Sequence, residues 1–231
     1  MNKKLSLAGL ILAVVLINQQ PASAVDRYIS VTANGTVKVK PDSVRINATA
    51  WATASSSKLA LNQTSTASEK LRNTLNSTGI TKEYIKSNSI SVMPEYNYTP
   101  DKGSVLLDYK ATQSFEIIVR NAGAAGNLVD AIVSQLSESI TIDGVTPFIY
   151  DPTKATASAR IDAVKRAKSK ASSYAKLLGV HLGKIIYLDE SNGSSPIPLT
   201  MATAKSDSGA TVVDLGTQDV IVSVTTRWAI Y

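Results

Sequence analysis

The sequence predicts an α+β fold: antiparallel sheets with helices packed on one face, in the order β-β-α-β-β-α-β-α-β-β. Three observations lead there. Apolar and polar residues alternate along most of the chain, as they do on half-buried strands. Three stretches leave that period and repeat at helical spacing instead. Tight breaks between long alternating runs favour antiparallel pairing over crossovers.

The elements follow in order. Ile29, Val31 and Ala33 alternate with polar residues, as do Val37 and Val39, and Asn34-Gly35 between them suits a tight turn or bulge. Pro41-Asp42 ends this run. Val44, Ile46, Ala48 and Ala50 then alternate with Arg45, Asn47, Thr49 and Trp51, a strand with one buried face. Ser55 to Ser57 offer capping hydroxyls to a first helix. In it Leu59, Gln63, Ala67, Leu71 and Leu75 recur every four residues, and Gly79 stands where a helix-ending glycine belongs. Ile90 and Val92 open another strand, closed by Met93-Pro94. Glu95 to Gly103 reads as a hairpin loop. From Leu107 to Val119 the alternation holds over 13 residues, the clearest strand in the chain, and its edge from Leu107 to Arg120 is open to pairing with a neighbouring subunit.

After a turn at Asn121 to Gly126, Leu128, Val129, Ile132, Val133 and Leu136 form an amphipathic second helix. Ile140 and Ile142 lead into a strand reaching Tyr150. Asp151-Pro152 starts the third helix, which spans residues 153–178 and ends at Gly179. Ile185 to Leu188 is a short apolar strand. Ser191 to Gly216, rich in Ser, Gly, Pro and Thr, reads as a long, partly mobile loop. Val220, Val222, Val224, Thr226, Trp228 and Ile230 alternate to the end.

The third helix is the most informative. At about 100° per residue, Ala163, Val164, Ala167, Ala171, Tyr174, Ala175 and Leu178 share about one third of its circumference. The alanines form a ridge that lets a backbone approach closely. Lys154, Lys165, Arg166, Lys168, Lys170 and Lys176 occupy the rest, with Asp162 as the only acid, and Arg160 lies towards the apolar side. Lys165, Arg166 and Lys168 are a candidate contact for an anionic envelope component; the plain alternative is a solvated surface.

Composition removes many chemistries. The 231 residues include no Cys and one His, which excludes disulfides, thiolate sites and any zinc site built on several histidines. No cofactor or metal site is expected. Met1 to Ala24 reads as an export signal: Lys3 and Lys4 head an apolar run from Leu5 to Ile17, and Ala22-Ser23-Ala24 supplies the small residues of a cleavage site. An uncleaved anchor is the alternative. No later apolar stretch is long enough to span a bilayer. The leader carries two lysines and no acid, so cleavage leaves 22 basic against 18 acidic residues, a net charge of +4. That is too mild to point to nucleic acid. The expected location is secreted or periplasmic.

Reactive groups are sparse. His181 is the only imidazole base, it sits on a helix-to-strand connection, and no Gly-x-Ser-x-Gly elbow accompanies it, so a hydrolase is the weakest reading. Asp189-Glu190 alone is a thin basis for a cation site. Tyr96 and Tyr98, between Pro94 and Pro100, offer rigid amphipathic contact area and are candidate interaction residues.

Several segments together resemble the SIMPL-domain family of exported bacterial proteins. They are Ile29 to Gly35 with Val37 to Asp42; Gly79-Ile80, Ile85 to Ile90, Pro94 and Tyr96; Tyr109-Lys110-Ala111; and Ala159 to Ala175 with Leu178-Gly179 and Leu182-Gly183-Lys184. Asp108 stands where the family often has Gly, and the third helix is more basic than is usual in it. The resemblance implies an α+β domain over residues 25–231, with room for two subdomains. It also implies a non-enzymatic protein able to form ring- or channel-like homo-oligomers, with some members linked to oxidative stress. It supplies no catalytic residues and no cofactor.

Overall fold

The computed structural model describes residues 27–101, 103–192, 197–198 and 211–231. The leader and most of the Ser-rich loop lie outside the described residues. In chain order the elements are β1 (Tyr28–Val39), β2 (Ser43–Ala54), α1 (Ser57–Ser77), β3 (Ile85–Thr99), β4 (Gly103–Val119), α2 (Ala125–Leu136), β5 (Ile140–Phe148), α3 (Thr153–Leu178), β6 (Leu182–Asn192), β7 (Ile197–Pro198) and β8 (Gln218–Ile230). This is the order expected from the sequence, with the two-residue β7 added.

The strands form two antiparallel sheets. One runs β3-β4-β2-β5; the other runs β1-β8-β6, with β7 also paired to β8. Each is helix-backed and has its own core. In the first, Val44, Ile46 and Ala48 of β2 and Phe115 and Ile117 of β4 meet Ala67, Leu71 and Leu75 of α1 and Leu128 and Ile132 of α2. In the second, Ile29, Val31, Val222 and Val224 meet the α3 ridge of Ala159, Ala163, Ala167, Ala171 and Ala175. The ridge is almost wholly buried because alanine lets the helix axis lie close to the sheet.

Local signals explain the boundaries. Ser56 caps α1, its hydroxyl accepting from the Leu59 N–H at 3.3 Å. Gly179 ends α3 in the left-handed region at φ +69°. Asp42, between β1 and β2, ties three connections together: its carboxylate accepts from the Tyr150 N–H at 2.9 Å and its carbonyl from the Ala122 N–H at 3.1 Å. Gln218 adds a bond from Nε2 to the Pro147 carbonyl at 2.7 Å.

Four expectations change. Asn34-Gly35 makes no turn: β1 runs through it in unbroken register with β8, pairing Asn34 with Ser223 and Gly35 with Val222. Glu95 to Thr99 is strand, so the hairpin loop is much shorter than expected. From Tyr109 to Val119 the expected free edge is absent, because that part of β4 lies between β3 and β2; of the expected edge only Leu107 and Asp108 extend past β2. Tyr174 and Leu178 leave the buried stripe of α3, at 44% and 66% exposure. A ridge at four-residue spacing drifts by about 40° per step, so the contact face has rotated away by the helix end.

Candidate functional site

The feature most exposed to a partner is the β3–β4 hairpin. β4 has 17 residues and β2 has 12. Pairing between them stops at Ala54 opposite Tyr109, so Gly103 to Asp108 have only β3 as a neighbour. Six residues at about 3.4 Å each carry the tip about 20 Å past the sheet. Gly103 turns the chain at φ +67°, a conformation side chains disfavour.

The arm is apolar where it leaves the sheet. The register skips Leu107 between the pairs Glu95–Asp108 and Tyr96–Leu106, a bulge that adds local twist. Tyr96, Tyr98 and Leu106 come to one face, the continuation of the helix-bearing side along β3, beyond the start of α1. They are 58%, 75% and 44% exposed. Exposed apolar area of this kind, bordered by polar side chains, marks contact surfaces. At the root, the Lys110 ammonium lies 5.3 Å from the Trp51 ring centre and 4.0 Å from the Glu95 carboxylate. These contacts brace the arm where it departs.

The basic helix is less free than its sequence implies. Arg160 gives two bonds to the Glu190 carboxylate, at 2.6 and 2.8 Å, rather than trailing along the surface. Those bonds hold Glu190 below the usual carboxylate range and raise the Arg160 guanidinium. Arg166 bonds Asp162 at 2.8 Å, and Lys170 reaches the Thr32 carbonyl at 3.3 Å. Lys165 and Lys168 are exposed and have no acidic partner among the described residues. They stand on the second layer, while Tyr96 and Tyr98 stand on the first, so the five candidates do not converge on one site.

The remaining reactive groups are scattered. The His181 side chain is exposed and makes no hydrogen bond among the described residues; its backbone pairs with Tyr231. Asp189 and Glu190 are neighbours on β6 and point to opposite faces, so they cannot close on one cation. Among the described residues no group of three potential metal ligands gathers. No helix described is long and apolar enough to cross a membrane. Sequence reasoning missed Leu106 as part of the arm and the row Tyr28–Arg227–Tyr187, which spans three strands distant in the chain.

Residues 29–228, from β1 to β8, match the profile of SIMPL, a protein family of unknown function (DUF541). The chain belongs to the SIMPL family. The matched SIMPL region contains both the hairpin arm and α3. The chain is similar to the 26 kDa periplasmic immunogenic protein of Brucella melitensis, 26% identical over 183 residues, 75% of this chain and 70% of the relative. It is also similar to the uncharacterized protein YggE of Edwardsiella ictaluri, 27% identical over 161 residues, 68% of this chain and 65% of that protein. The SIMPL description assigns no reaction.

Proposed function

We propose that this SIMPL chain is an exported, non-enzymatic protein that self-assembles into a homo-oligomer, with an envelope or stress-related role. The leader-like first 24 residues and the periplasmic name of the Brucella relative support export. One observation carries the assembly: the β3–β4 arm, which projects past its sheet with Tyr96, Tyr98 and Leu106 exposed. Burying such a face in a second copy removes apolar area from water and pairs strand edges that otherwise face solvent. The stress-related role rests on the family resemblance alone.

Light scattering on the chain from Val25 onward tests the assembly. The expected result is a species larger than a monomer, shifting towards monomer in Tyr96→Ser/Tyr98→Ser/Leu106→Ser with melting unchanged. A strict monomer at high micromolar concentration overturns it.

The exposure of Lys165 and Lys168, with no acidic partner among the described residues, favours a second reading, contact of α3 with an anionic envelope component. Its test is retention on anionic liposomes at low salt, lost in Lys165→Glu/Lys168→Glu.

A further inference from the structure

Among the described residues no helix packs on the face of the second sheet opposite α3. Val222, Val224 and Trp228 of β8 pack towards α3, so Ser223, Thr225 and Arg227 point the other way. Arg227 pairs in register with Ser30 of β1 on one side and Tyr187 of β6 on the other. Its guanidinium carbon stands 5.1 Å from the Tyr28 ring centre and 5.0 Å from that of Tyr187. Both tyrosines keep substantial contact with solvent, at 43% and 45% exposure.

The guanidinium is positioned but not spent. Contact with two ring faces fixes where it sits and uses none of its five N–H donors. No carboxylate among the described residues lies within ion-pair distance of it. The next pair along the face is Thr32 and Thr225, whose hydroxyls lie 2.9 Å apart, with Asp189 opposite Thr225. Around Arg227 the described residues therefore present hydroxyls, two tyrosine rings, a cation without an acidic partner and the Asp189 carboxylate, with the Lys38–Asp219 ion pair farther along the same face.

That combination fits a particular chemistry. Ring faces accept the C–H faces of sugars, as they accept other apolar surfaces. Hydroxyls and Asp189 match sugar hydroxyls, and a guanidinium takes a carboxylate through two parallel bonds. Asp189 opposes a ligand of dense negative charge, which disfavours a phosphate polymer. We propose that this face binds a carboxylated polysaccharide of the cell envelope, with Arg227 contacting its carboxylate and Tyr28 and Tyr187 stacking on its sugars. The proposal is independent of assembly through the hairpin, which lies on the other sheet.

The test is retention of the mature protein on immobilised polygalacturonate at low ionic strength, beside neutral dextran and polyphosphate. The expected result is retention on polygalacturonate, little on dextran, and weaker retention on polyphosphate. Arg227→Gln should bind polygalacturonate at least tenfold more weakly, and Arg227→Lys, which keeps the charge and loses the fork, should fall between. Tyr187→Ser supplies a second variant if Arg227→Gln fails to fold, as judged by circular dichroism, and should also weaken retention. Absence of retention by the native protein overturns the proposal. So does equal retention on polyphosphate, or a loss that follows Lys165→Glu/Lys168→Glu and spares Arg227→Gln. Light scattering on the same variants should show unchanged particle size, which separates this outcome from failure of assembly.

Discussion

Gly35 of β1 lies against Ala159 of α3 with no room for a side-chain carbon. A carbon there would run into the Ala159 carbonyl oxygen and the Ala163 amide nitrogen. Both obstacles are backbone and cannot rotate aside, so helix and strand would have to separate. Gly35→Ala is expected to destabilise the fold by about 1–3 kcal/mol, the usual cost of overpacking. Urea unfolding checks it; a midpoint equal to the native one would show that α3 is not seated this closely.

This contact also shows where sequence reasoning stopped. Asn34-Gly35 carries the local signature of a turn, and a turn is what the chain alone predicts. The reason for that glycine is a helix far along the sequence, so no local pattern reveals it. The free edge is misplaced for the same kind of reason. Alternation announces β4 clearly, but its neighbours are set by pairing across the chain. By contrast, the strand and helix order was legible because periodicity and caps act locally, as at Ser56 and Gly179. Tyr96 and Tyr98 stand out in the sequence as candidate contact residues by type and by flanking prolines, and both are exposed. The arm that presents them follows from β4 outrunning β2, which only the register exposes.

Ser68 and Gln113 form a buried polar pair between α1 and β4, with the Ser68 hydroxyl donating to Oε1 of Gln113 at 2.8 Å. Ser68 is fully buried and Gln113 is 9% exposed. Ser68→Ala leaves that oxygen without its donor, at an expected cost of about 1–3 kcal/mol. Ser68→Thr, which keeps a hydroxyl, should recover part of the loss in the same denaturation measurement.

Asp130 of α2 anchors the described end of the Ser-rich loop. Its carboxylate accepts from the Thr211 hydroxyl at 2.5 Å and the Thr211 N–H at 3.1 Å, and both bonds hold it below the usual carboxylate range. Val213 and Leu215 follow onto the first core. Asp130→Ala is expected to release residues 211–217, seen as faster proteolytic cleavage there with the rest of the chain intact. An unchanged digestion pattern would mean that Val213 and Leu215 hold the segment unaided.

The Arg160–Glu190 pair gives a pH dependence of defined sign. The Glu190 carboxyl is lowered in the folded chain by the Arg160 hydrogen bonds. A lowered carboxyl stabilises above its unfolded value, about 4.3, and loses that contribution as pH falls through its folded value. The contribution is therefore complete at neutral pH and fades in acid. Glu190→Gln should lower stability at pH 7 and leave it nearly unchanged well below the folded value, with thermal melts at both pH values as the check. An equal loss at both would assign the effect to packing instead of charge.

The hairpin arm predicts a separation of stability from assembly. Tyr98 is 75% exposed and pairs with Ser104 on a stretch that β2 does not reach. Its side chain therefore contributes little to either core, and Tyr98→Ser should change unfolding free energy by no more than about 0.5 kcal/mol, as for other exposed sites. The same change removes a large amphipathic anchor from the surface assigned to self-association. Sedimentation velocity across a concentration series should then show weaker association by tenfold or more, at an unaltered melting temperature. Phe115→Ala makes the opposite case. Phe115 is 1% exposed within the first core, and its truncation should cost about 3–5 kcal/mol. If Tyr98→Ser lowered stability as Phe115→Ala does, the arm would be folded back onto its own chain, and assembly through it would fail.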